Sequence, residues 1–597
     1  MTAYAAPLTD MRFVIGELAG LAEIAALPGL GDTSPELVDA ILDEAGKFGA
    51  EVLAPLNRPG DIAGCGFNEG LVRTPEGFKE AYGQFVEGGW NGLPFDPEYG
   101  GHGLPWLVSA AVSEIWNAAN MALALCPLLT QGAAEMLIVH GSSELKSRYL
   151  RKLVSGEWTG TMNLTEPQAG SDLGQTRCKA VRKDGRYLIS GQKIFITYGD
   201  HDLTENIIHT VLARTPDAPP GVKGLSLFVV PKFLLNEDGS LGERNDLRCL
   251  SIEHKLGINA SPTCVMSYGD GGGASGFLIG EETRGIEYMF TMMNNARLAV
   301  GLEGVAIAER AYQQARDYAR ARVQGRLLGG GDPAPVAIVN HPDVRRMLLF
   351  MKAGTEAARA LAYHVAASLD LARRHPDEAV RRDRRSQIDL LTPVIKAWCT
   401  DTAIEVANTG IQVHGGMGYI EETGAAQHLR DARIAAIYEG TNGIQALDLV
   451  RRKLQHDGGG VARAMIEEMR ETARACSASD HEALTAIGSD LAPAIDALAA
   501  TTKWIAETFR ADPVAAASGA TRYMRMLGWI TGGWQLAKSA QVADSKIDHF
   551  PDDEAFYTAK LDTARHYASQ YLAPAAAEAR PIMAAKATVM AIPEAEL

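Results

Sequence analysis

Three segments carry the residue types that could do chemistry. In Ile437-Tyr-Glu-Gly-Thr-Asn-Gly-Ile444, Glu439 lies between an apolar stretch, Ile434 to Tyr438, and Gly440, just ahead of a helix expected to start near Asn442. A carboxylate with apolar neighbours on a loop can have a raised pKa, which suits a base. By local sequence the same position also suits a solvated loop glutamate or a cap. In Met162-Asn-Leu-Thr-Glu-Pro-Gln-Ala-Gly-Ser-Asp-Leu-Gly-Gln-Thr176 a strand runs in and Pro167 stops regular pairing. Gly170-Ser171-Asp172 can then turn consecutive N–H groups and a hydroxyl toward an anion, or form an ordinary polar turn. In Gln412-Val-His-Gly-Gly-Met-Gly-Tyr419, followed by Leu429-Arg-Asp-Ala-Arg433, paired glycines let a backbone come close to something flat or charged.

Other chemistries are excluded by their missing signatures. There is no GxxxxGK[ST] and no GxGxxG between a strand and a helix, so P-loop and Rossmann nucleotide sites fall away. Gly269-Asp-Gly-Gly-Gly-Ala-Ser-Gly276 is Gly-rich but has no helix behind it, and is expected to be a loop. Without HExxH or a CxxC pair no metal site is expected. The seven cysteines are widely spaced, which points to a reducing, cytoplasmic setting rather than a disulfide framework.

The elements that must position these segments fall into regions of different texture. Residues 34–152 carry helical periodicity broken by Gly- and Pro-rich loops. From Trp158 to Gly280 short β-rich runs take over, such as Tyr187 to Thr197, Ile207 to Leu212 and Leu225 to Val230. Long helical segments return from Ile286 to Leu454. His456-Asp-Gly-Gly-Gly460 reads as a flexible break, and Val461 to Ala585 is again Ala-rich and helical. The expected divisions are an N-terminal helical extension (1–50), a helical domain (51–156), a middle β-domain (157–285), a helical bundle (286–455) and an extra helical domain (456–597). The fold class is thus mainly α with a small central β-domain.

With 57 basic against 73 acidic side chains the net charge is −16, the wrong sign for gripping nucleic acid or an anionic membrane. The last region is itself acidic, which excludes a basic DNA-binding appendage. The apolar stretch from Phe13 to Leu30 is interrupted by Glu17, Glu23 and Pro28, so neither a signal peptide nor a membrane span is expected there.

Taken together, Thr-Glu-Pro-x-Ala-Gly-Ser-Asp (165–172), Gly-Gln-Lys-x-x-Ile-Thr (191–197), Gln-x-x-Gly-Gly-x-Gly-Tyr (412–419), Leu-Arg-Asp-Ala-Arg (429–433) and Ile-Tyr-Glu-Gly-Thr (437–441) resemble, in order and spacing, the acyl-CoA dehydrogenase flavoprotein family. The resemblance runs from about residue 50 to 455. The longer layout, with its N-terminal lead and C-terminal helical unit, resembles the subgroup that contains 3-(methylthio)propanoyl-CoA dehydrogenases.

The resemblance implies a fold of N-terminal helical domain, β-barrel-like middle domain and C-terminal four-helix bundle enclosing FAD, with a further C-terminal helical domain appended. It implies cofactor contacts from Leu164, Thr165, Gly170, Ser171, Phe195 and Thr197. Further contacts, partly across a subunit boundary, would come from Arg322, Gln324, Gln412, Gly415, Gly416, Thr441 and Gly443. Glu439 would be the catalytic base, removing the α-proton of an acyl-CoA thioester while the β-hydrogen leaves as hydride to flavin N5, to give a trans-2-enoyl-CoA. Ser171, Arg297, Tyr438 and Gly440 would meet the substrate. Some relatives carry the base just before the position of Arg297, but Ala296 stands there, which leaves the role with Glu439. The family further implies a homodimer or dimer of dimers, electron-transferring flavoprotein as acceptor, and a place in β-oxidation or in sulfur-compound catabolism. The alternatives carried with it are an acyl-CoA oxidase reducing O2 and a catalytically idle flavin-binding relative.

Overall fold

The β-rich stretch forms one eight-stranded sheet: β1 (Thr159–Asn163), β2 (Lys179–Lys183), β3 (Arg186–Thr197), β4 (Ile207–Arg214), β5 (Leu225–Pro231), β6 (Leu247–Ile252), β7 (Thr263–Tyr268) and β8 (Ala274–Leu278). This computed structural model describes residues 3–329 and 334–597. The strand order is β6-β7-β3-β8-β5-β4-β1, with β2 pairing β3 and β4. Nearly all neighbours are antiparallel, but β1 runs parallel to β4, with Thr159 opposite Ile207. β3 is the longest strand because it pairs twice. Its first half meets β2 and β8, and its second half continues alone against β7. A register shift between Cys264 and Met266 bends that second half. Ile189, Ile196, Val211, Phe228, Val230, Cys264, Met266 and Tyr268 fill the core of the sheet. Of the Gly-rich run expected to be a loop, only residues 269–273 form a connection, in which the N–H groups of Gly271 and Gly273 donate to the Asp246 carboxylate, whereas Ala274–Gly276 already belong to β8 and pair with β3.

By contact density the chain divides into two units, one of Met1–Gly46, Pro105–Ala118 and Val300–Leu597, the other of Lys47–Leu104 and Ala119–Ala299. Two long helices, Trp106–His140 and Gly285–Ala321, contribute residues to both. The first is broken at Asn120, whose backbone is extended (φ −159°, ψ 85°). The Asn120 side chain takes over the missing helical bonds: Nδ2 donates to Leu53 O (3.3 Å) and Oδ1 accepts from Leu123 N–H (3.2 Å). The Trp106–His140 and Glu482–Ala511 helices are long and apolar enough to cross a membrane, but 83% and 44% of their most apolar windows are buried within the fold.

In the helical unit, Pro342–Arg374 packs against Glu378–Val394 and Thr400–His414, and the Val300–Ala321 segment meets Pro342–Arg374 and Thr400–His414. Glycines set the closest approaches. A Cβ at Gly301 would lie 2.4 Å from Ile395 Cγ2, and one at Gly304 2.7 Å from Cys399 O. The C-terminal helices Gly460–Ser477, Glu482–Ala511, Ala520–Ile547 and Glu554–Tyr567 join this unit. Gly528 and Gly532 lie flat on the Trp398 indole, and Tyr567 Oη donates to Trp529 O (2.8 Å). A buried charge network also ties them in. Arg359, 1% exposed, pairs with Glu114 (2.6 Å), Glu309 (2.8 Å) and Asp10 (2.5 Å), while Lys560 pairs with Asp10 and with Glu356 (2.9 Å).

One sequence expectation is corrected here: residues 456–460 are an ordered cap, not a flexible break. Asp457 accepts from the N–H groups of Gly459 (2.9 Å) and Val461 (2.6 Å), which starts the next helix. Gly458 and Gly459 supply the left-handed backbone that the turn requires (φ 67° and 80°).

Candidate active site

Glu439 sits on the tight loop between the Ala425–Ala435 and Asn442–Asp448 helices, with φ +58°. A non-glycine residue in this left-handed region is strained and persists only when its surroundings hold it there. The restraints are visible. Gln445 Nε2 donates to Glu439 O (3.0 Å), and Lys396 Nζ donates to Gly440 O and to Asn442 Oδ1 (2.8 Å each). Asn442 Nδ2 in turn donates to Asp401 Oδ1 (2.7 Å), Thr400 Oγ1 (3.0 Å) and Ala397 O (3.1 Å). Lys396 is fully buried, on the turn Ile395–Cys399.

The Tyr438 hydroxyl donates to Glu303 Oε2, a carboxylate 1% exposed on the Gly285–Ala321 helix. Burial pushes the Glu303 carboxyl up to about 8, with the charge of Glu439 adding to the effect and the Tyr438 hydrogen bond and Lys396 opposing it. Thr441 caps the next helix, its Oγ1 accepting from Ile444 N–H (3.3 Å), and Gly443 lies exposed two residues further on.

The remaining expected residues of this unit gather at a second place. Arg322 and Gln324 lie at the exposed strand Val323–Arg326, which pairs with Pro335–Ala337, and His341 Nε2 bonds Gln324 O (2.7 Å). Gln412, Gly415 and Gly416 end the Thr400–His414 helix, with Gly415 at φ 59°. The Tyr318 and His414 rings stack with centroids 4.4 Å apart, which brings the strand and this turn together. Gly415 and Gly416 are exposed, and a Cβ added at either would meet nothing within 4 Å.

Leu164, Thr165, Gly170, Ser171, Phe195 and Thr197 belong to the β-containing unit and form one assembly. β1 delivers Leu164 and Thr165, and Ile194 N–H donates to Thr165 O (2.9 Å). Thr161 Oγ1 donates to Thr197 O (2.7 Å). Beneath them lies a buried ion pair: Lys193 Nζ donates to Glu166 Oε1 (2.8 Å) and Leu164 O (2.9 Å). The same carboxylate accepts from the N–H of Arg177 (2.7 Å) and Cys178 (3.1 Å) and from Gln168 Nε2 (2.6 Å). Burial alone would raise the Glu166 carboxyl, but Lys193 and the two backbone N–H groups outweigh it and hold it below the ordinary range. Phe195 has φ +60° and is 59% exposed, an aromatic face turned outward from a strained backbone, and Gly170-Ser171-Asp172 is exposed as well. An outward aromatic, nearby hydroxyls and an open glycine turn fit a planar group carrying an anion. Arg297, also in this unit, is 9% exposed, donates to Asn294 Oδ1 (3.3 Å) and places its guanidinium 5.9 Å from the Phe290 ring.

Glu303, Lys396 and Gln445 lie outside the motifs read from the sequence, while Glu166, Lys193 and Asn442 lie inside them without their pairing being legible there. A signal exists for two of them: Glu303 and Lys396 are lone charges in apolar helical runs, Leu298 to Ile307 and Val394 to Cys399. A charge so placed is buried with a partner or is functional.

Comparison with known proteins matches four domain families in order: acyl-CoA dehydrogenase N-terminal domain over residues 36–157, middle domain over 161–270, C-terminal domain over 283–454, and acetyl-CoA dehydrogenase C-terminal like over 465–593. The chain is 50% identical over 576 residues, 96% of its length, to 3-methylmercaptopropionyl-CoA dehydrogenase of Ruegeria pomeroyi, of which it covers 97%. It is 36% identical to a butyryl-CoA dehydrogenase of Syntrophomonas wolfei, with 94% of each chain covered. An acyl-CoA dehydrogenase from Bacillus anthracis, solved in complex with FAD, shares the fold with a TM-score of 0.73 at 20% identity, over 96% of this chain and 91% of that one.

Proposed function

The chain belongs to the acyl-CoA dehydrogenase family of FAD-dependent oxidoreductases, and from that premise we propose that Glu439 is the base that takes the α-proton of a short acyl-CoA thioester, 3-(methylthio)propanoyl-CoA being the first choice. The observation that carries this reading is the Glu439 loop itself, a carboxylate held in strained backbone by Lys396 and Gln445. The thioester carbonyl acidifies Cα; the Cα–H pair becomes the new C=C bond as Glu439 receives the proton. FAD, when bound, accepts the hydride that leaves Cβ. The Glu439 backbone N–H is suited to meet the negative charge developing on the thioester oxygen, a donor type worth about 3 kcal/mol. Tyr438 and Gly440 flank that position along the chain, and Ser171 and Arg297 offer a hydroxyl and a cation to the CoA moiety.

Leu164, Thr165, Gly170, Ser171, Phe195 and Thr197 are the proposed FAD contacts of the β-containing unit. Arg322, Gln324, Gln412, Gly415, Gly416, Thr441 and Gly443 are further proposed contacts, partly in a second subunit. The exposed strand and Gly415–Gly416 turn support that sharing, and with it a homodimer or dimer of dimers. Electron-transferring flavoprotein is the proposed acceptor. A cytoplasmic setting is supported by seven cysteines that all remain free thiols, six of them buried.

The substrate choice rests on the full-length similarity to the Ruegeria pomeroyi enzyme, with the Syntrophomonas wolfei enzyme supporting a straight short chain as the competitor. The test is anaerobic bleaching of the purified yellow protein by methylthiopropanoyl-, butanoyl-, octanoyl- and palmitoyl-CoA, beside Glu439→Gln. The variant should stay yellow and bleach about 10²- to 10⁴-fold more slowly, the range that a general base contributes. Full-rate bleaching in the variant would reject Glu439 as the base, absent bleaching in the wild type would mark an idle relative, and stoichiometric peroxide in air would mark an oxidase.

A further inference from the structure

Glu303 lies in Gly301-Leu-Glu-Gly304, and the two flanking glycines let its helix press against the Ile395–Cys399 turn, where any larger residue would collide with Ile395 or Cys399. The carboxyl is thereby enclosed. It is 1% exposed, its Oε2 accepts the Tyr438 hydroxyl, and its Oε1 has no hydrogen-bond partner. Such a buried acid is costly to keep, so it calls for a role. The titratable groups facing it are Tyr438 and Glu439 on the loop and Lys396 on the turn, and Lys396 also holds Gly440 O.

We propose that Glu303 is a positioning residue for the reaction, clamping the base-bearing loop from beneath through the Tyr438 hydroxyl. Lys396 and Gln445 restrain the loop after Glu439, and Glu303 restrains it before, so that the strained residue between them has one position. Glu303 acts as a neutral acid at pH 7, because burial and the neighbouring Glu439 charge push its pKa to about 8. The neutral form leaves the only full negative charge of this pair on Glu439. The inference rests on Glu439 being the base.

The test compares Glu303→Ala, Glu303→Gln and Tyr438→Phe holoenzymes with the wild type by anaerobic rapid mixing with acyl-CoA. Loosening the clamp should lower the maximal bleaching rate of Glu303→Ala and Tyr438→Phe by about tenfold to a hundredfold, the scale of an ångström's misplacement of a catalytic group. The acyl-CoA concentration for half-maximal rate should change less than about twofold, since positioning acts on the chemical step rather than on binding. Glu303→Gln, which can still accept from Tyr438, should recover to within about threefold of the wild type.

A second readout is independent of turnover. An acid with a raised folded pKa adds stability below its unfolded pKa, near about 4.3, and loses that contribution as pH climbs to about 8. The melting temperature of Glu303→Gln should therefore gain on the wild type from about pH 5 to about pH 8 and level off above. Wild-type bleaching in both Glu303→Ala and Tyr438→Phe, or a melting difference flat with pH, overturns the proposal. If Glu303→Ala does not fold, Tyr438→Phe and Glu303→Gln still decide it. Failure of the base assignment is read separately, from Glu439→Gln with Glu303 intact.

Discussion

Replacing Lys193 by Met removes a cation and keeps the length and apolar stem of the side chain. Lys193 is fully buried and Glu166 is 3% exposed, so the Glu166 carboxylate would stay enclosed with the Arg177, Cys178 and Gln168 N–H groups but without its counter-charge. Leu164 O would lose its Nζ donor as well. Breaking one side of a buried, hydrogen-bonded ion pair costs about 3–5 kcal/mol. The segment that yields is Leu164–Thr165, which the proposed function sets against the flavin, so the loss should fall on cofactor retention as well as on stability. If about 3 kcal/mol of it is expressed in binding, the FAD Kd rises by somewhat more than a hundredfold.

Fluorescence titration of apoprotein with FAD measures the Kd, and thermal melts of the same protein report stability. Glu166→Gln should weaken binding from the other side, by leaving Lys193 charged and unmatched. The double variant carries neither charge and should be better than the sum of the singles by about 1–3 kcal/mol. Because Lys193 helps hold the Glu166 carboxyl below its ordinary pKa, the stability from Glu166 is present above its unfolded pKa and is lost as pH falls through the lower folded value. In Lys193→Met that acid limb should move to higher pH. FAD binding within about threefold of the wild type, together with an unmoved acid limb, would refute the claim that this ion pair braces the loop.

Two further outcomes follow from the helical unit. Asp370, 2% exposed, accepts from Trp106 N–H (2.8 Å) and Leu107 N–H (3.0 Å), and burial lifts its pKa to about 6 against those donors. Its contribution to stability is full below its unfolded pKa and lost as pH rises through 6, so Asp370→Asn should gain about 2 kcal/mol on the wild type between about pH 4 and pH 7. Melting temperatures across that range check it, and a pH-independent difference argues against it. Gly528→Ala would place a Cβ 2.2 Å from Trp398 Cγ. Overpacking of this kind costs about 1–3 kcal/mol, and should show as a lower melting temperature and faster proteolysis of the C-terminal helices; wild-type behaviour would mean that the helix does not lie on the indole.

The texture of the chain, helical then β-rich then helical, was legible because apolar spacing and turn residues are local properties. Local sequence showed Glu439 as a carboxylate between an apolar run and a glycine but left it open between a base and a loop or cap glutamate; the Ile-Tyr-Glu-Gly-Thr resemblance singled it out. Its φ of +58° was not legible, since the strain is imposed by Lys396 and Gln445, one of them more than forty residues away in sequence. The glycine run at 456–460 looked flexible by composition, yet Asp457 turns it into a cap once two helices converge on it. Glu303 and Lys396 show the limit most plainly. Sequence marks each as a misplaced charge, but what each one touches is set by Gly301 and Gly304 meeting the Ile395–Cys399 turn. Residue type fixes which protons and hydroxyls exist; long-range packing decides which of them face one another, because burial and the hydrogen bonds that compensate it arise only when distant segments close together.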